Sequence, residues 1–144
     1  MTEQVVPLDL GVMWEPNAPD AVLVSSDGGR AALALSAHAS DEDQRAVVLV
    51  WTGCAAALMA PPNDEARDQH RLYDSGLREL LWAGVVEGSE WAAAVDAMRA
   101  GSSGSHFVVL AKETTVEVLA DAVSVVRVPG STAEAAATLG ADRA

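Results

Sequence analysis

Apolar residues take alternate positions from Val6 to Trp14: Val6, Leu8, Leu10, Val12 and Trp14. A period of two puts them on one face of a strand. The prolines of Trp14-Glu15-Pro16-Asn17-Ala18-Pro19 end it, because proline cannot donate to a ladder. Ala21 to Ser25 and Arg30 to Ala37 flank Ser26-Asp27-Gly28-Gly29. That spacing predicts a hairpin with a positive-φ turn. A turn on Gly28-Gly29 pairs Val24 with Leu33 and Val22 with Leu35. A turn on Asp27-Gly28 pairs Val24 with Ala31. The first register is preferred for its larger cross-strand pairs.

Ala46 to Thr52 is a continuous β-branched and apolar run, the pattern of a central strand covered on both faces. Gly53 marks a bulge or bend, and Cys54 to Ala60 reads as a further strand or a continuation, closed by Pro61-Pro62. The stretch 61–76 is polar and irregular. Leu77 to Val86 fits both periods, and a strand from about Glu79 to Val86 is favoured. Ser89 to Ala100 is the clearest helix, with Ser89 as cap, Trp91, Val95 and Met98 on one face, and Gly101 as the C-terminal glycine. His106 to Lys112, Thr115 to Ala120 and Val123 to Val128 have strand composition and read as a meander. Ser131-Thr132-Ala133-Glu134 is a capping box opening a short terminal helix, with Gly140 as its stop and little apolar mass besides Leu139.

Seven or eight strands joined mostly by short turns leave no room for parallel crossovers. The expectation is one α+β domain over residues 1–144. It is a strand-rich antiparallel sheet arranged as a sandwich or half-open barrel, with a clear helix at 89–100 and a short C-terminal helix.

Composition narrows the function classes. Half of the 144 residues are hydrophobic, which excludes a mainly disordered chain. No apolar run is long enough to span a bilayer as a helix, and the N-terminus lacks the basic region of a signal peptide. Nine basic against twenty-one acidic residues give a net charge of −12. That argues against nucleic acid and against anionic membranes, and it permits a basic protein partner. Cys54 is the single cysteine, so no intramolecular disulfide forms and a cytoplasmic location is expected. Ile is absent, Lys112 is the only lysine, and Ala is abundant. The scarce residues are those with AT-rich codons, which points to a GC-rich bacterial source.

No nucleophile elbow, zinc-protease box, phosphate loop or cysteine pair is present. No cofactor is expected. The most site-like stretch is Pro61 to Tyr73, a long irregular segment of the kind on which function concentrates. The candidate residues are Asp64, Glu65, His70 and Tyr73, with His106 as the one distant polar group placed to meet them. Asp64, Glu65, His70 and His106 are also the candidate metal ligands, since carboxylates and imidazoles ligate divalent ions. The competing reading is a solvated loop in which Asp64 caps a helical turn and Tyr73 packs its ring. Strand alternation puts Glu117 on the face opposite Val116 and Val118, expected to be solvent. Trp51 and Trp91 are expected to pack; Trp14 and Trp82 have a pocket or interface as an alternative, with core the preferred reading. Cys54 reads as a small hydrophobe.

Three blocks, PPNDEARDQHRLYDSGL (61–77), GVVEGSEW (84–91) and HFVVLAKETTVEVLA (106–120), together resemble a family of small uncharacterised bacterial proteins. The matching positions are His70, Leu72, Tyr73, Gly76, Leu77, His106, Thr115 and Glu117. The resemblance supports the choice of loop and implies no reaction. The leading functional expectation is a non-catalytic binding or protein-interaction module, with a homodimer as one form. The alternatives are a small enzyme or metal-binding protein using Asp64, Glu65 and His70 with His106, and an acidic immunity or inhibitor protein that covers a basic partner.

Overall fold

A computed structural model describes residues 2–99 and 101–141. Its strands are β1 (Gln4–Pro7), β2 (Val22–Ser25), β3 (Arg30–Leu35), β4 (Ala46–Thr52), β5 (Ala56–Ala60), β6 (Ala83–Glu87), β7 (Ser105–Leu110), β8 (Thr115–Ala120) and β9 (Ala122–Val128). The helices are α1 (Glu90–Met98) and α2 (Thr132–Ala141), and three 3-10 turns cover Asp64–Gln69, Tyr73–Ser75 and Leu77–Glu79. The strands form two sheets, ordered β1-β6-β7-β8-β5 and β2-β3-β4-β9. Every ladder is antiparallel, as the short connections required. Among the described residues no helix is long and apolar enough to cross a membrane.

The unbroken apolar run of β4 has a direct physical reason. Val47, Leu49 and Trp51 face the space between the sheets, where they meet Phe107, Val109, Val116 and Val118. Ala46, Val48 and Val50 face the other way, under Ala135 and Ala136 of α2. Trp51 lies 6.3 Å from Phe107 across the two sheets. Truncating either ring would cost about 3–5 kcal/mol.

Several expectations are corrected. The first strand ends at Pro7, because Asp9 Oδ1 accepts the Gly11 N–H in a turn with Gly11 at φ 71°. Trp14 keeps only an isolated bridge to Ala37. Leu8, Leu10 and Val12 still pack against the core from irregular backbone.

The hairpin takes neither expected register: Val24 opposes Ala32 and Leu23 opposes Leu33. Its loop has three residues, Asp27-Gly28-Gly29, closed by Ser26 N–H to Arg30 O at 2.8 Å with Gly29 at φ 85°. That loop length sets the register. It directs Leu23 and Leu33 between the sheets and Val22 and Val24 toward α2.

The expected meander also breaks. β7 and β8 pair, but β9 pairs with β4 in the other sheet. Asp121 makes the crossing, its N–H donating to Thr52 O at 3.0 Å. Gly53 is the matching bend between β4 and β5. At φ 61°, a Cβ there would strike the Asp121 carboxylate, so the two crossings are packed against each other.

The expected strand at 79–86 begins only at Ala83. Ahead of it, Leu77 and Leu80 turn down into an apolar cluster with Val5, Leu72, Val86, Val108 and Leu110, while Leu81 is left 79% exposed. The stretch 61–76, expected to be irregular, is largely 3-10 turn. Asn63, not Asp64, caps its first turn by accepting the Ala66 N–H. The strand expected at 106–112 is β7, which spans Ser105–Leu110 and stops short of Lys112.

Helix α1 is capped by Ser89, as expected, but it ends at Met98 with Arg99 extended as its C-cap. Gly101 lies beyond. Met98 is 80% exposed, so the expected Trp91–Val95–Met98 face is not a buried stripe. α2 runs through Gly140 to Ala141, and its buried contacts come from Ala135 and Ala136. Small side chains are what let the helix lie close on the sheet.

Candidate functional site

β7 and β8 alternate faces. Phe107, Val109, Val116 and Val118 point between the sheets, so His106 and Glu117 point to the outer face. The sequence expectation for Glu117 was solvent. The structure corrects it: the segment 64–80 and α1 cover that face, and the Glu117 side chain is only 12% exposed.

His70 reaches Glu117 from the roofing segment, with Nε2 at 3.1 Å from Oε2. His106 Nε2 lies 2.7 Å from Oε1. The far nitrogens are also occupied. Leu72 N–H donates to His70 Nδ1 at 3.0 Å, so the His70 proton sits on Nε2 and is donated to Glu117. Ser89 Oγ lies 2.7 Å from His106 Nδ1 and accepts the Ala92 N–H at 3.0 Å. The arrangement that satisfies every atom has the Ser89 hydroxyl donating to Nδ1 and His106 Nε2–H donating to Glu117. The edge of Trp91 closes over the His106 ring at 5.1 Å.

Burial pushes the Glu117 carboxyl up, but the hydrogen bonds from His106 and His70 outweigh it and hold the group at about 2. It is a fixed anion. A second buried carboxylate braces the rim. Glu3 accepts from Arg71 Nη1 at 2.6 Å and from the Glu90 N–H at 2.9 Å. Burial raises its carboxyl too, and those two bonds bring it below the ordinary value.

Beside this cluster lies an open groove of about 390 Å³, lined by Leu58, Arg71, Glu90, Trp91 and Glu117. Leu58 and Trp91 make its apolar walls, and Glu117 supplies charge.

The expected site residues are divided. His70 and His106 come together, through a carboxylate that the sequence reading had assigned to solvent. Asp64, Glu65 and Tyr73 do not join them. They line a separate surface hollow with Arg67, Asp68 and Arg78. Asp64 is bound to Lys112 Nζ at 3.1 Å, and the Tyr73 ring lies under the Arg78 guanidinium at 5.1 Å. Trp82 is partly buried, edge-on to Trp14 at 5.4 Å. Burial raises the Cys54 thiol, which suits a packing role.

Ser89, Glu117 and Trp91 are the partners that sequence reasoning did not assign to the site. The available signal was parity. His106 and Glu117 fall on the same face once Lys112 and Glu113 are read as the turn. Ser89 was visible only as a cap.

Hydroxyl, imidazole and carboxylate in series resemble a nucleophile triad, but the surroundings differ. Ser89 Oγ is a helix cap, the His106 side chain is 0% exposed, and the Glu90 N–H is spent on Glu3. Among the described residues no group of three or more His, Cys, Asp or Glu is arranged to hold a metal ion; each Nε2 faces its own carboxylate oxygen.

No family model matches the chain, and no curated protein or solved structure does.

Proposed function

We propose that the chain is a non-catalytic binding or protein-interaction module whose contact surface is the groove at Glu117. The observation that carries this reading is burial. The His70 and His106 side chains are 6% and 0% exposed and their ring nitrogens are bonded within the fold, so neither ring meets a substrate entering from solvent. The cluster instead fixes the roof over the sheet and holds the Glu117 carboxylate, with Glu90 and Arg71, beside the apolar walls of Leu58 and Trp91, which is the make-up of a recognition groove. The net charge of −12 supports a protein partner over nucleic acid or an anionic membrane. The lone cysteine supports a cytoplasmic location, and the Ala-rich, Ile-free composition supports a GC-rich bacterial source.

One observation favours a second reading: the Ser89–His106–Glu117 alignment could serve acyl transfer if Ser89 released its cap. The test compares wild type with Ser89→Ala on activated esters and on a panel of peptides. The module reading expects turnover indistinguishable from buffer in both proteins. Ester cleavage that depends on Ser89 would overturn it.

A further inference from the structure

β5 ends the five-stranded sheet. It pairs with β8 on one side and, among the described residues, with no strand on the other. Its sequence, Ala-Ala-Leu-Met-Ala, has none of the devices that blunt an edge: no charge, no proline, and an unbroken ladder without a bulge. Leu58 projects outward, 46% exposed, and sits opposite Glu117 in the ladder. It also forms one wall of the groove. The open backbone edge and the anionic groove are therefore continuous.

We propose that β5 accepts an added strand from a protein partner, an extended basic segment that places a lysine or arginine in the groove. This rests on the module reading above. Main-chain bonds along the edge would supply affinity, and the alternate side chain entering the groove would supply specificity. The aliphatic stem would lie against Leu58 and Trp91, with its charged head at Glu117 and Glu90. Arg71 is the one cation lining the groove, and it is already bound to Glu3 at 2.6 Å. The whole chain carries −12, which attracts a basic segment and repels a second copy of itself. Five residues at about 3.3 Å each give an edge of roughly 17 Å, which a hexapeptide covers from end to end.

The test titrates the full ¹⁵N-labelled chain, at low salt, with three capped hexapeptides: alternating lysine and threonine, alternating glutamate and threonine, and alternating serine and threonine. The basic peptide is expected to shift the amides of residues 56–60 and the Trp91 indole. Leu58→Lys should weaken it at least fivefold. Glu90→Gln should weaken it about two- to fivefold, the range of a part-exposed ion pair, and added salt should weaken it further. Both substitutions replace exposed side chains, and unchanged spectra elsewhere confirm the fold. Equal binding of the acidic or neutral peptide overturns the basic partner and leaves the module reading intact. Concentration-dependent shifts at β5 without peptide put a second copy on the edge and overturn the proposal. Absence of shifts with all three overturns strand addition. Ser89-dependent ester cleavage strikes the module reading itself.

Discussion

Over the four-stranded sheet, α2 lays Ala135 and Ala136 on Ala32, Ala34, Val48 and Val50, with Val22, Val24, Val128 and Leu139 around them. Over the five-stranded sheet, the segment 64–80 and α1 are fastened by His70, Ser89, His106 and Glu117, beside the cluster of Leu72, Leu77 and Leu80. The first roof is apolar and made of small residues. Contacts of that kind are non-directional and depend on close fit. The second adds hydrogen bonds whose donors and acceptors must align, and it takes charge out of water to do so. The groove opens at the edge of the second roof, beside Glu117.

The largest expected effect breaks the polar roof at its centre. Glu117→Ala leaves two imidazole N–H groups buried without an acceptor, and should lower stability by about 2–6 kcal/mol, roughly 1–3 for each orphaned donor. Urea unfolding with an unchanged m-value would measure it. A loss under 1 kcal/mol would mean that the cluster does not hold the roof.

Acid should act through the same residue. Glu117 titrates at about 2 in the fold against an ordinary 4.5. A depressed carboxyl contributes its full stability above about pH 4.5 and loses it as pH falls toward 2. The contribution is roughly 3–4 kcal/mol. Asp43, held near 2 by the Arg45 guanidinium and backbone N–H, also titrates in this range. The informative quantity is therefore the difference between wild type and Glu117→Gln, which should narrow steadily from pH 5 to pH 2.5. Parallel curves would contradict the assignment.

On the apolar roof, Ala135→Leu should cost about 1–3 kcal/mol by overpacking, with no change in the acid profile. An altered acid profile would show that the two roofs are coupled. The smallest effect is expected for Ser89→Ala. It removes a cap and the partner of His106 Nδ1, for about 1 kcal/mol. A lowered melting temperature, with the His106 side-chain resonances shifted, is the expected record.

The architecture was legible where one signal dominated. The apolar run of β4 announced a strand covered on both faces, and Ser89 announced a helix start. The expected α+β, antiparallel and strand-rich class is the class observed. Boundaries failed where a local turn competed with periodicity. The alternation through Trp14 continues past Pro7, but the Asp9–Gly11 turn breaks the ladder while the side chains stay buried. Pairing failed at Asp121, where a one-residue link leads to the other sheet and nothing in its composition says which sheet β9 joins.

The site was half legible. His70 and His106 stood out as rare residue types. Glu117 was assigned to solvent because strand parity reports which residues share a face, and it cannot report that a separate segment will cover that face. Asp64, Glu65 and Tyr73 drew notice through proximity in sequence, yet the 3-10 turn directs them away from His70.

Trp14 has a consequence that concerns time. Its indole N–H donates to Leu110 O at 2.9 Å across 96 positions of chain, and its backbone bridges Ala37, two residues past the end of β3. Closing so long a loop is entropically costly until the strands that hold Leu110 and Ala37 are in place. The contact is therefore expected to form late in assembly, and Trp14→Phe, which removes the indole donor, should speed unfolding more than it slows folding. A late contact governs how long the native state survives more than how quickly it forms, which makes the segment around Trp14 a latch on the lifetime of the sandwich.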